Sequence, residues 1–309
     1  MKDSALDVDK ATVLTTIFVI VTEILKEPQA IRALDRPGPE PNCPDAEIIT
    51  MALYQELVGD PREDHFYRMQ ATELRSYFPL LPERSRYNRR KRALAWIILL
   101  VRMGILEALG IRQFKRGNID SAPVPVTGYK RNKNPAWAEV AAYGRCAAKA
   151  MRYYGCKLNT LVSDTGVVMD FALSAANHYD NQIVPEFIAQ YVHRDILEEV
   201  TGDKAYNDHL LQANLLKEFG IRLKAPKKGN QTVKVNDPFV SNKADAVGRL
   251  MVELVNSQLQ EQLHLSRHYA KSVHGLFTRV AAKVTAHTAG MLVNIMLGRK
   301  PLALAGLAV

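Results

Sequence analysis

The stretch from Cys156 to Leu173 constrains this chain most, because few backbones accept it. Cys156, Leu158, Thr160 and Val162 alternate with Lys157, Asn159, Leu161 and Ser163, which is the period of a β-strand. Asp164, Thr165 and Gly166 supply turn chemistry and Val167 to Leu173 runs back, so the segment predicts a β-hairpin. Helical periodicity fills the chain up to about residue 110, and short strands alternate with helices after the hairpin.

The first 112 residues read as an all-helical domain. Residues 11 to 26 predict an amphipathic helix, and the proline-rich run from Lys26 to Pro44 predicts a linker. Asp45 reads as the cap of a helix carrying Ile48, Ile49, Ala52, Leu53 and Leu57, and Gly59 to Pro61 end it. A shorter helix covers Phe66 to Tyr77. Ser85 is expected to cap a long helix whose start holds Arg84, Arg86, Arg89, Arg90, Lys91 and Arg92, and whose body, with Trp96, Ile97, Leu100 and Val101, is expected to be buried. Positive charge at a helix start opposes the dipole and calls for an anion. Arg86, Arg89 and Arg90 are therefore candidate DNA contacts, although a solvated helix start accounts for them as well.

From Phe114 the pattern changes. Ile119 to Ala122 is a short extended segment that Pro123 and Pro125 are expected to end, which puts Asp120 at a strand terminus. Gly128 to Trp137 is a loop with Lys130, Arg131 and Lys133. After the hairpin come a helix from Val184 to His193, a strand over 196 to 203 ending at Asp203, a helix from Leu210 to Phe219 stopped by Gly220, and a strand from Ile221 to Ala225. A second basic loop, Pro226 to Asp237, holds Lys227, Lys228 and Lys234. In the helix that follows, Arg249, Glu253, Asn256 and Gln260 share one stripe, and Val247, Leu250, Met251 and Leu254 lie opposite, on the side expected to be buried.

This order predicts an α/β fold, a mixed five-stranded sheet with flanking helices. Such a sheet can bring Asp120, Asp203 and Glu253 together. Alone, Asp203 reads first as a helix cap and Glu253 as a residue of a solvated face. Together they match what two-metal phosphoryl transfer requires: hard oxygen donors for two divalent ions.

Composition narrows the class. Lysine and arginine number 41 against 32 acidic residues in 309, and the two basic clusters favour nucleic acid over a merely basic surface. Cys43, Cys146 and Cys156 show no CxxC spacing, so neither a disulfide framework nor a zinc site is expected. His264 and His268 are four apart, but the intervening residues lack the glutamate of a zinc protease. No signal peptide or membrane-spanning run is apparent, and a cytoplasmic, nucleoid-associated protein is expected.

Five stretches carry a family resemblance: Ile-Asp-Ser-Ala-Pro-Val-Pro-Val (119 to 126), Tyr-Tyr-Gly-Cys-Lys-Leu-Asn (153 to 159), Ala-Asn-His-Tyr-Asp (176 to 180), Gly-Asp-Lys-Ala-Tyr (202 to 206) and Arg-Leu-Met-Val-Glu (249 to 253). In this order they resemble the bacterial insertion-sequence transposases of the DDE type, which have a ribonuclease H-like core, from about Asp45 to Gly298. The resemblance implies a catalytic domain over 113–298 with a tail over 299–309, and Asp120, Asp203 and Glu253 as a triad holding two Mg²⁺ ions, with Mn²⁺ able to substitute. It implies cleavage of element ends and joining of the 3′-hydroxyl to target DNA. The partners implied are double-stranded DNA, as terminal inverted repeats and target, and a second copy of the chain in a homodimer. Lys204 and Arg249 are candidate phosphate contacts beside the metals. Many relatives carry Tyr and Lys around the Arg and Glu, and here those positions are Ala246 and Gln260. A structure-selective nuclease on the same core and a DNA-binding regulator without catalysis are the competing readings.

Overall fold

A computed structural model describes residues 8–130, 134–146, 150–192, 196–229, 237–241 and 245–308. The chain forms two compact units, Met1–Leu109 with Leu259–Val309, and Gly110–Gln258.

The first unit is helical: α1 (Lys10–Leu25), α2 (Pro28–Leu34), α3 (Asp45–Leu57), α4 (Glu63–Tyr77), α5 (Arg84–Ala93) and α6 (Ala95–Ala108). Several sequence expectations are corrected within it. The stretch read as a linker contains α2, which Pro28 opens from the first helical position, where its missing N–H costs nothing. Pro44 takes the capping position of α3, and Asp45 lies in the first turn, paired with Arg36 and Arg90. Ser85 lies inside α5 rather than capping it, and Leu94 divides the expected long helix in two. Trp96, expected in the core, is 68% exposed, its ring centroid 4.7 Å from that of Phe277 and tilted by 46° to it. The last long helix, α10 (Val273–Met296), packs along α6 and α3 within this unit.

The interior of this unit also holds charge. Lys283 reaches Glu56, and Lys91 and Arg279 reach Glu63, all of them buried or nearly so. Burial and the nearby Arg279 push the Lys91 amine down to about 8, against the pull of Glu63 and Glu56. Burial opposes ionisation of Glu63 as well, but Lys91 and Arg279 hold its carboxyl below the ordinary range. Removing one member of such a set would leave another charge buried and unpaired.

The second unit is built on a sheet: β1 (Arg116–Thr127), β2 (Ala142–Cys146), β3 (Met151–Ser163), β4 (Val168–Ala175), β5 (Glu199–Thr201) and β6 (Arg222–Lys224), with helices α7 (Val184–Val192), α8 (His209–Phe219) and α9 (Asp245–Ser257). The predicted hairpin is β3 and β4, paired antiparallel from Cys156↔Ala175 to Val162↔Val168. On its other side β3 pairs antiparallel with β1, and β5 and β6 continue the sheet parallel to β1. The result is the mixed sheet of a ribonuclease H-like core. Among the described residues it has six strands rather than five, because β2 pairs with the first half of β3.

Two further expectations are corrected here. β1 runs through Pro123 and Pro125 to Thr127. Its partner β5 covers only Arg116–Asn118, so beyond that point one side of β1 is open and a missing N–H there breaks no ladder. Asp120 thus lies mid-strand, at the point where the parallel neighbour has ended. In α9 the buried residues are Gly248, Val252, Val255 and Asn256, while Val247, Leu250 and Leu254 are exposed. Close approach decides this: a Cβ on Gly248 would stand 2.2 Å from Asn118 Oδ1, so only a glycine lets this face of α9 lie against β1.

Candidate active site

Each of the three carboxylates comes from a different element of the second unit. Asp120 is fixed by β1 in register with Thr160 of β3. Its Oδ2 accepts a hydrogen bond from the Asn256 side-chain amide at 2.9 Å, and the Thr160 hydroxyl lies 3.1 Å from Asn256 Oδ1. Asn256 thereby ties α9 to both strands.

Asp203 follows β5 by two residues. Gly202 precedes it, and the Tyr206 ring lies 2.5 Å from where a Cβ at that glycine would be, which explains the small residue in Gly-Asp-Lys-Ala-Tyr. Asp203 is also a cap: its Oδ1 accepts from the Ala205 N–H at 2.8 Å, opening a single 3₁₀ turn, Lys204–Tyr206. The capping reading and the ligand reading do not compete, because a carboxylate has lone pairs for both. Glu253 is exposed on α9, one turn after the half-buried Arg249.

One cleft of about 630 Å³ collects them, lined by Asp120, Asp203 and Glu253 together with Arg249, Lys157 and Asp180. Asp180 ends the Ala-Asn-His-Tyr-Asp stretch. In the fold it accepts from the Ser121 hydroxyl at 3.0 Å and pairs with Lys157 at 2.8 Å. Burial raises the Asp120 carboxyl to about 6; the negative Asp203 and Asp180 add to the rise, and hydrogen bonds from the Ser121 N–H and Asn256 oppose it. Tyr206 is buried, and its hydroxyl has no hydrogen-bond partner among the described residues. Burial and the charges of Asp180, Asp120 and Asp203 hold that phenol well above its ordinary pKa.

Residues 113–272, just over half of the chain, match the family described as the transposase DDE domain. The chain belongs to that family. No curated protein and no solved structure gives a significant match. This transposase domain therefore places its three carboxylates at one opening of a ribonuclease H-like sheet, and DNA is the substrate of its family.

The donor set of this transposase domain fits a hard divalent cation, of the kind its family uses. Three carboxylates face one cleft, and burial, with a smaller push from Asp203 and Asp180, raises Asp120 among them. Among the described residues no three His, Cys, Asp or Glu side chains are gathered tightly enough to hold one ion. Asp203 and Glu253 are exposed, and Asp203 Oδ1 is engaged by the Ala205 N–H.

The other sequence candidates fall in several places. Lys204 is exposed beside Asp203, and Arg249 lines the cleft. Lys227 is exposed, and Lys228 donates to the Asn207 carbonyl at 2.7 Å. Lys130 is exposed, whereas Arg131, Lys133 and Lys234 lie outside the described residues. Arg86 and Arg89 are exposed on α5, and Arg90 is held by Asp45 and the Cys43 carbonyl. Lys157, Asp180 and Asn256 were not singled out as site residues. The signal for the first two was their presence in the motifs at 153–159 and 176–180.

Proposed function

We propose that this chain is the transposase of an insertion sequence, cutting at the element ends and joining the freed 3′-hydroxyl to target DNA. The observation that carries the reading is the meeting of Asp120, Asp203 and Glu253 in one cleft of a transposase DDE domain. These three side chains would hold two Mg²⁺ ions, with Mn²⁺ able to replace them. Bound there, such ions activate the attacking oxygen and stabilise the leaving one.

The chain's own residues supply the rest. Asn256 fixes the orientation of Asp120, and a second hydrogen bond through Thr160 fixes Asn256. Lys157 neutralises Asp180, so that the cleft does not present a fourth free carboxylate to a phosphodiester. Arg249, which lines the cleft, and the exposed Lys204 next to Asp203 would serve as cations for the scissile phosphate. In the first step water forms a bond to phosphorus as the bond to the 3′ oxygen breaks, and that oxygen takes up a proton. In the second the new 3′-hydroxyl attacks a target phosphorus and displaces another 3′ oxygen. Both are in-line displacements, so one cleft serves both. Two ends must be held at once, which calls for a homodimer.

The test is a labelled duplex carrying an element end, incubated with the protein and Mg²⁺ or Mn²⁺. Cleaved strand and joined product are expected from the wild type, and neither from Asp203→Ala. Cutting without joining would point to a nuclease instead, and salt-sensitive binding without cutting would point to a regulator.

A further inference from the structure

The strongest feature outside the cleft is a second cavity, in the helical unit. It measures about 630 Å³ and lies between the start of α4, one face of α5 and the start of α10. Its floor is formed by Glu63, Lys91 and Arg279 of the buried charged set. Among the described residues the acids paired with Lys91, Arg279 and Lys283 are Glu56 and Glu63, which leaves one positive charge in excess. Arg279 Nη1 is buried with no hydrogen-bond partner among the described residues, its nearest carboxylate oxygen being 3.8 Å away on Glu56. Buried charge left uncompensated is costly, so an anion entering from the cavity would be favoured.

The rim repeats the sign. Arg62, Arg84, Arg92 and Lys271 line it, all exposed, and among the described residues none pairs with a carboxylate. Asp64 is the one exposed acid among the lining residues. At 100° per residue, Arg84, Asn88, Lys91 and Arg92 fall within about 100° on α5, and Arg86, Arg89 and Arg90 lie on the other side. The basic run in the sequence is thus two surfaces. Tyr269 sits on the rim with φ 52°, a left-handed backbone uncommon for a side chain of this size, and its ring is 58% exposed.

We propose that this cavity is a DNA-backbone site of the helical unit, taking consecutive phosphates of a duplex on Arg62, Arg84, Arg92 and Lys271, with Tyr269 against a deoxyribose. The cavity is too large for a lone phosphate, and its rim cations come from three separate segments, which suits a row of phosphates rather than one anion. The proposal rests on the transposase reading for its ligand.

The test measures binding of the full chain to a labelled duplex by fluorescence anisotropy across salt concentrations. Each phosphate contact contributes about 0.9 to the slope of log affinity against log salt. The variant Arg84→Gln/Arg92→Gln/Lys271→Gln is expected to bind more weakly and to lower that slope by about 2 to 3, with an unchanged melting temperature. An unchanged slope overturns the proposal while leaving the cleft's chemistry untouched. Loss of cleavage in wild type with DNA binding intact would instead strike the transposase reading alone. Should the triple variant misfold, acylation of Lys271 in the wild type gives the same answer: duplex DNA is expected to protect it. Equal labelling with and without DNA, or equal protection by inorganic phosphate at the same phosphate concentration, overturns the assignment.

Discussion

Replacing Gly248 with alanine separates catalysis from stability. The added Cβ would lie 2.2 Å from Asn118 Oδ1, and ordinary contact begins near 3.4 Å, so the atoms must part by about 1.2 Å. Asn118 cannot yield cheaply. It is 2% exposed, and its amide donates to Asp164 at 2.9 Å and towards the Val162 carbonyl at 3.4 Å. The displacement therefore falls on α9, which carries Glu253 five residues further on. Overpacking costs about 1–3 kcal/mol, and alanine in place of glycine returns about 1 kcal/mol of helix propensity, so net destabilisation of about 0–2 kcal/mol is expected. Catalysis is less forgiving, since a shift of about 1 Å in a catalytic group can cost on the order of 100-fold. The assay pairs single-turnover cleavage of an element-end duplex with a melting curve by circular dichroism. A rate within about threefold of wild type, at full occupancy of DNA and metal, would refute the claim that close docking of α9 on β1 positions Glu253.

Other outcomes follow from the same contacts. Asn256→Leu removes the amide that opposes the rise of Asp120, so in the metal-free protein the Asp120 carboxyl, held at about 6, should titrate at higher pH by carboxyl-resolved NMR, and cleavage at neutral pH should fall by about 10–100-fold; an unmoved titration would contradict this. His287 is fully buried, and burial with the nearby Arg102 depresses it to about 4. A depressed histidine contributes stability above its unfolded value of about 6.5 that is lost as pH falls towards 4, on the order of 3 kcal/mol at most. Melting temperatures of the wild type should accordingly drop over that range more than those of His287→Gln. Lys283→Met leaves Glu56 with the more distant Arg279 at 3.8 Å, and is expected to destabilise the protein by about 3–5 kcal/mol in denaturant titration.

The sequence exposed those parts of the fold whose signal is local. The β3–β4 hairpin alternates and turns where expected, and Gly220 ends α8 in a left-handed conformation. The three carboxylates were legible through ordered motifs rather than periodicity. Burial was harder to read, because it depends on what an element meets. The apolar side of α9 does not face the sheet, since Gly248 permits approach only from its own face. Prolines that would stop a central strand sit in β1 because β5 ends at Thr201, a fact about another segment. The arginine run of α5 looked like one patch, yet Arg90 and Lys91 are spent on acids at positions 45 and 63, which no local window contains. The role of Asp180 was hidden for the same reason, since its partners Ser121 and Lys157 come from distant strands.

The central claim is that Asp120, Asp203 and Glu253 serve one metal site. Iron-mediated backbone cleavage tests it directly: Fe²⁺ in place of Mg²⁺, with ascorbate and peroxide, cuts a polypeptide where the ion is bound. Cuts near residues 120, 203 and 253 are expected, suppressed by excess Mg²⁺ and absent in Asp203→Ala. Cuts elsewhere, or the same three cuts surviving Asp203→Ala, would contradict the assignment.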